Sequence, residues 1–202
     1  WGSYVYGVVD LVAQAGHEVP SFTAVVHSEV PIGGGLSSSA SLELAVLMML
    51  QELGDFRLPP VEAALLCQKA ENLYAKVNCG ILDQYAGAFG VEGGSILLDC
   101  RSLSHISVPI PEEIAIVVGN TNVSRALADS EYGTWKEQCL GAAATIGRKL
   151  PKVRTLRDLN PREFHQVGAP LLTDEVVRRR AQFIVEENFR GLEMTLALVQ
   201  DN

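Results

Sequence analysis

The 202-residue sequence predicts a mixed fold of helices and short strands arranged in two units. Three observations predict it. Runs of β-branched and apolar residues stand at 22–30, 95–100 and 114–119, as strands require. Other stretches repeat apolar residues at three- and four-residue spacing, which is the helical period. A polar stretch at 101–113, carrying Pro109 and Pro111, separates a mixed first part from a mainly helical second part. The expected domains are therefore 1–108 and 109–202.

Taken in order, Trp1, Val5, Val8, Val9 and Val12 form one face of an amphipathic helix over 1–14 that stops at Gly16. The run at 22–30 reads as a strand halted by Pro31. A glycine- and serine-rich stretch follows, Pro31-Ile32-Gly33-Gly34-Gly35-Leu36-Ser37-Ser38-Ser39-Ala40-Ser41. Directly after it, Leu42, Ala45, Val46, Met49, Leu50 and Leu53 predict a helix over 39–53 closed by Gly54. Pro59 and Pro60 open the next helix, over about 61–74, with Glu71 in its last turn. A loop through Asn78-Cys79-Gly80 leads to a third helix over 82–89. Residues 95–100 and 114–119 read as strands, and 126–147 and 176–198 as long helices.

Composition bounds the function. A formal net charge of −8 argues against general nucleic-acid binding, and the basic triplet Arg178-Arg179-Arg180 has acidic neighbours that make it a solvated helix face. Four widely spaced cysteines, Cys67, Cys79, Cys100 and Cys139, with no C-x-x-C pair, suit reduced thiols in a cytoplasmic protein. The four histidines lack ligand-like spacing, so no structural metal is expected. No apolar run is long enough to span a bilayer, and no membrane role is expected. Asn122-Val123-Ser124 is a chance glycosylation match in such a setting. The first residue is Trp1 rather than methionine and the last helix has nothing after it, so both ends are expected to be cut.

The glycine–serine stretch carries the chemistry. Consecutive glycines reach positive φ and let backbone N–H groups converge on an anion. A helix beginning straight after them adds its unpaired N–H groups and the positive end of its dipole. Strand, glycine turn and helix N-terminus together are what phosphate binding needs; the bland alternative is a flexible linker. No G-K-[ST] follows the glycines and Gly33-Gly34-Gly35 is not G-x-G-x-x-G, which excludes a Walker A loop and a dinucleotide turn. No lysine supplies counter-charge, so Mg²⁺ with hard oxygen ligands is the natural substitute. Glu71 is a candidate carboxylate for it, since a cation would offset the unfavourable dipole at a helix end. By local sequence it also reads as an exposed glutamate beside Gln68 and Lys69. Asp83, just after Gly80, sits at a helix N-terminus that favours its ionised form and could accept a sugar hydroxyl proton. It reads equally as an ordinary N-cap.

These residues, in this order, resemble the GHMP small-molecule kinases. The loop from Pro31 to Ser41 resembles that family's second motif. Trp1 with Tyr4-Val5 and Gly7-Val8, the run Asn78-Cys79-Gly80-Ile81-Leu82-Asp83-Gln84, Leu98-Asp99-Cys100-Arg101-Ser102-Leu103 and Asn120-Thr121-Asn122-Val123 narrow the resemblance to its galactokinase branch. Ser130-Glu131-Tyr132 and Arg179-Arg180-Ala181 extend it over essentially the whole chain. The resemblance implies an α+β GHMP kinase architecture, with a first unit like ribosomal protein S5 domain 2 and the start of a ferredoxin-like second unit. It implies that Gly33, Gly35, Ser37 and Ser38 bind the ATP phosphates, with Trp1 near the nucleotide. Ser39 and Glu71 would hold Mg²⁺, Asp83 would be the catalytic aspartate at the sugar C1 hydroxyl, and Gly80 and Tyr132 would contact the sugar. ATP, Mg²⁺ and galactose are the implied cofactors and substrate. The family's upstream sugar-binding motif G-R-x-N-[LI]-I-G-E-H-x-D-Y and its C-terminal glycine-rich motif are not in this sequence. Ala75-Lys76 replaces a more usual small or apolar pair before the sugar loop. The expectation is a sugar 1-kinase, with these 202 residues inactive alone; a kinase of N-acetylgalactosamine or a non-catalytic galactose sensor are the alternatives.

Overall fold

The computed structural model describes residues 1–120 and 132–200, with only the backbone of Tyr132. They fall into two compact units, 1–130 and 131–202.

In the first unit, α1 (Gly2–Gln14), α2 (Ser38–Leu53), α3 (Pro60–Ala70) and α4 (Leu82–Phe89) form a helical layer, with α2 packed on the other three. The first two helices end where sequence punctuation predicts. Gly16 takes φ +88 beyond α1, and Gly54 caps α2 with its N–H on the Leu50 carbonyl at 2.9 Å. Proline at its first position starts α3, where a missing N–H costs nothing. The predicted helix over 61–74 changes character partway. It is α-helical to Ala70 and then widens into a π-turn, Glu71–Ala75, closed by Lys76 in the left-handed region. The core joins Val8, Leu11 and Val12 of α1 to Leu44, Leu47 and Leu50 of α2. Each such side chain, fully buried, contributes about 1.5–3 kcal/mol.

The buried stripe of α2 is rotated from the predicted one. Ala40, Glu43, Leu44, Val46, Leu47 and Leu50 point inward, whereas Ala45 and Leu53 are exposed. A glutamate therefore occupies the middle of a core face.

A hairpin follows, β1 (Gly94–Asp99) antiparallel to β2 (Ser104–Pro109), with Leu97 opposite Ile106. The stretch at 101–113 is thus not a plain polar link, since most of it is the hairpin turn and its second strand. Asp99 explains the turn: its Oδ1 accepts the backbone N–H groups of Arg101 (2.8 Å) and Ser102 (3.1 Å). Tyr85 of α4 donates its hydroxyl to the Leu103 carbonyl at 2.8 Å and fixes the turn to the helices.

Two predicted strands are corrected. Residues 22–30 and 114–119 carry no strand, and they are exposed almost throughout. Val25 is 96% and Val117 90% exposed. Their β-branched composition is real, but a strand exists only as a paired ladder, and among the described residues nothing pairs with them.

The second unit is helical, as expected. Its α5 (Tyr132–Gly147) and α7 (Glu175–Gln200) enclose, with α6 (Pro161–Glu163) and short turns, a core of Ile146, Leu156, Phe164, Ala181 and Val185. The predicted start of α5 at 126 lies outside the described residues, as does the Asn122-Val123-Ser124 match. The basic triplet is a helix face in use within its own unit: Arg179 pairs with Glu175, and the Arg180 guanidinium lies 4.7 Å over the Trp135 ring. All four cysteines are free thiols, and no described helix is long and apolar enough to cross a membrane.

Candidate functional site

The glycine–serine stretch leads straight into α2. Its backbone alternates in hand: Gly33 (φ +72), Gly35 (φ +73) and Ser37 (φ +57) are left-handed, and the residues between them are not. Alternating hands turn successive N–H groups toward one side, the geometry of an anion-binding nest. Two of the three positive φ values fall on glycine, where no Cβ opposes them. Space above the loop is open, for a Cβ on Gly33 or Gly35 would meet nothing within 4 Å.

Ser37 is the N-cap of α2, yet its hydroxyl makes no capping bond. Ser38 and Ser39 open the helix with unpaired N–H groups. Among the described residues no hydrogen bond engages any of these three hydroxyls. This is no slack linker: half-buried donors are held at the positive end of a sixteen-residue helix.

Behind the loop lies a buried acidic pair. Glu71 opens the π-turn and is only 2% exposed, so its exposed-glutamate reading is overturned. Glu43, at 0% exposure, reaches the same place from α2. Gln84 of α4 lies between them, also fully buried, with Nε2 donating to Glu71 Oε2 at 2.6 Å and to Glu43 Oε2 at 3.1 Å. Cys79 donates its thiol to the same Glu71 oxygen at 3.5 Å. No lysine or arginine pairs with either carboxylate among the described residues.

The electrostatic consequences spread outward. Burial, and then the Glu71 charge against the help of the Gln84 bond, push the Glu43 carboxyl up to about 8. Burial and the two carboxylates push the Cys79 thiol up to about 12 and raise Cys67 further. Tyr4 of α1 is raised by burial and by the same charges. The Glu43 Oε1 and Gln84 Oε1 atoms are buried without a hydrogen-bond partner.

Asp83 precedes Gln84 and stands in the first turn of α4. It is not the N-cap, which is Ile81, and so the capping reading falls. Its side chain is exposed and makes no hydrogen bond to the described residues, which leaves the carboxylate available at a positive helix end. Gly80 is exposed one turn before it. The structure therefore joins Glu71 to the neighbours of both Asp83 and Gly80, through Gln84 of α4, which packs against α2, and Cys79 of the loop before it. Trp1 is 80% exposed at the start of α1, and no described contact joins its ring to the loop. The Tyr132 side chain lies outside the described residues.

Sequence reasoning missed Glu43, Gln84, Cys79 and Tyr4. One signal was there for Glu43. It is four residues from Ser39 and from Leu47, on the stripe that the core residues define.

The donor set suits a hard cation. Serine hydroxyls without partners at the start of α2 and a buried carboxylate with no basic counter-charge are oxygen groups of the kind such a cation takes, while among the described residues no three acidic, histidine or cysteine side chains gather into a metal cluster. An anion cradle at a helix N-terminus can hold a phosphate chain, and a carboxylate such as Glu71 is a ligand for the metal that accompanies one.

Residues 3–91 match the GHMP kinases N terminal domain. The chain carries that domain over this stretch, and its α+β fold is similar to that of a solved galactokinase. Over 99% of its length it is similar to the crystal structure of Lactococcus lactis galactokinase complexed with galactose, at 35% sequence identity and a TM-score of 0.87. The chain spans 52% of that protein, about half its length.

Proposed function

We propose that the protein carrying this chain transfers the γ-phosphate of ATP to the C1 hydroxyl of galactose, giving galactose 1-phosphate and ADP. The observation that carries the reading is the convergence behind the glycine loop. Gln84 joins Glu71 to Glu43 there, and Asp83 stands beside it at the start of α4. The likeness to a galactokinase crystallised with galactose supports the sugar.

In this reading the N–H groups around Gly33, Gly35, Ser37 and Ser38 hold the phosphates, and Trp1 lies near the nucleotide. Ser39 and Glu71 would hold Mg²⁺, which neutralises charge on the phosphates when bound. Asp83 orients the C1 hydroxyl and takes its proton as that oxygen bonds to the γ-phosphorus and the bond to the leaving ADP oxygen breaks. Phosphoryl transfer needs mostly positioning and charge stabilisation, so an exposed carboxylate at a helix N-terminus is base enough. Gly80 and Tyr132 complete the sugar contacts. Residues 1–108 belong to the ATP-binding domain and 109–202 begin the second domain. Galactose and ATP are the partners, and free cysteines favour a cytoplasmic setting.

The test is Asp83→Asn in the intact protein. Nucleotide binding should stay near the wild-type level, while turnover with galactose falls by about 10²-fold or more. Unchanged turnover would remove Asp83 from the mechanism. Rates with N-acetylgalactosamine beside galactose decide the sugar.

A further inference from the structure

The buried amide of Gln84 has a task that catalysis by Asp83 and metal binding by Glu71 do not assign. A primary amide has two N–H donors, and both are spent on carboxylates, one on Glu71 and one on Glu43. A bond to an ionised carboxylate in a dry site is stronger and shorter than one to a neutral group, and the Glu71 bond, at 2.6 Å, is the shorter of the two.

The pattern on Glu71 is one-sided. Gln84 and Cys79 both donate to Oε2, and among the described residues nothing donates to Oε1. A carboxylate held by one oxygen presents the other in a fixed direction. Rotation about its last side-chain bond would break two contacts. Glu43 in turn fixes the amide plane, since it accepts the second N–H from the other side. The three residues come from three elements: Glu43 from α2, Glu71 from the π-turn and Gln84 from α4.

We propose that Gln84 is a positioning residue that aims Glu71 Oε1 at the bound metal, with Glu43 as the anchor that holds the Gln84 amide in place. The proposal rests on the reading of Glu71 as a metal ligand. Outer partners of metal ligands act this way generally, and their loss costs metal affinity even though they never touch the ion. The bridge also has a second effect. Because Gln84 follows Asp83, the bond that orients the metal ligand fixes the turn of α4 that carries the base.

The experiment measures Mn²⁺ affinity by electron paramagnetic resonance, in the intact protein with a non-hydrolysable ATP analogue. Wild type, Gln84→Leu, Gln84→Asn and Glu71→Gln are compared, with thermal melting of each as the check on folding. Gln84→Leu should keep a cooperative melt and lose about tenfold or more in Mn²⁺ affinity. In steady state it should raise the Mg²⁺ concentration for half-maximal rate by a similar factor and leave the galactose KM within about twofold. Wild-type Mn²⁺ affinity in a folded Gln84→Leu protein, with Glu71→Gln impaired, overturns the proposal and leaves the metal reading standing. Wild-type affinity in Glu71→Gln overturns both. If Gln84→Leu does not fold, Gln84→Asn decides, because its shorter amide cannot span both carboxylates. Weakened Mn²⁺ binding in that variant supports the proposal and wild-type binding overturns it.

Discussion

Glu43 is a single side chain with a measurable effect on the whole fold. The folded state keeps a proton on this carboxyl up to about pH 8, whereas the unfolded chain releases it near the ordinary glutamate value of 4.5. Between those values the folded protein binds more protons than the unfolded chain, so stability falls as pH rises through the window. The groups facing Glu43 are the Gln84 amide, the Glu71 carboxylate, the Cys67 and Cys79 thiols and the Tyr4 phenol. None of them supplies a positive charge. Glu43→Gln keeps an acceptor for Gln84 and removes the titration. Chemical denaturation at pH 5, 6.5 and 8 should then give a flatter stability profile than wild type, and an unchanged profile would mean that Glu43 is not the linked group. This residue also shows where single-residue reading stops. The glycine loop was legible because positive φ and helix N-termini are encoded locally. A buried glutamate is encoded only by the neighbours that bury it, and for Glu71 those neighbours lie on α4 and the loop before it, outside its own helix.

At the level of elements, the π-turn decides how Glu71 and the loop to Gly80 are presented. Wide turns of this kind tend to sit at functional sites. The turn is clamped at its far end by Tyr74, which donates its hydroxyl to Asp10 of α1 and receives a bond from Gln14. Gly7 lets α1 approach this clamp. A Cβ there would meet the Cβ, Cγ and Cδ2 atoms of Tyr74, all at 3.0 Å. Those atoms lie at the base of a ring whose far end is already tied, so the ring has little freedom to swing aside. Overpacking costs about 1–3 kcal/mol, and alanine recovers about 0.5–1 kcal/mol as a better helix former. Gly7→Ala should thus lose about 1 kcal/mol in urea denaturation, and a gain in stability would show that the clamp yields. Helices of this chain could be read from the sequence because their period and their stops are internal to each segment. The wide turn could not, since Glu71 to Ala75 have no composition that separates them from the α-helix before them. The strands divide by the same logic. The segment at 94–99 has its partner ten residues on and forms; those at 22–30 and 114–119 have the composition of strands without a pairing partner among the described residues.

For the molecule as a whole, the sequence order of motifs was enough to point to the GHMP kinase domain matched at residues 3–91, since ordered motifs across the chain are far more specific than any one of them. What it could not supply was which groups meet, and the bridge across α2, the π-turn and α4 is a property of the folded first unit alone. The second unit has its own core and its own ion pairs, so the two compact units are each built from local material. The exposed segments at 22–30 and 114–119 bear on the behaviour of the chain in bulk solution. Their backbone groups and β-branched side chains form ready templates for pairing with the same segments of other molecules. Purified as it stands, the 202-residue chain should self-associate with rising concentration, visible as light scattering that grows faster than linearly. Val25→Lys together with Val117→Lys, at two positions that touch almost nothing in the fold, should suppress that growth without moving the melting temperature. Scattering unchanged by the paired lysines would assign the association to another face. Colloidal behaviour of the chain would then follow from two short exposed stretches, and its conformational stability from the separate cores of the two units.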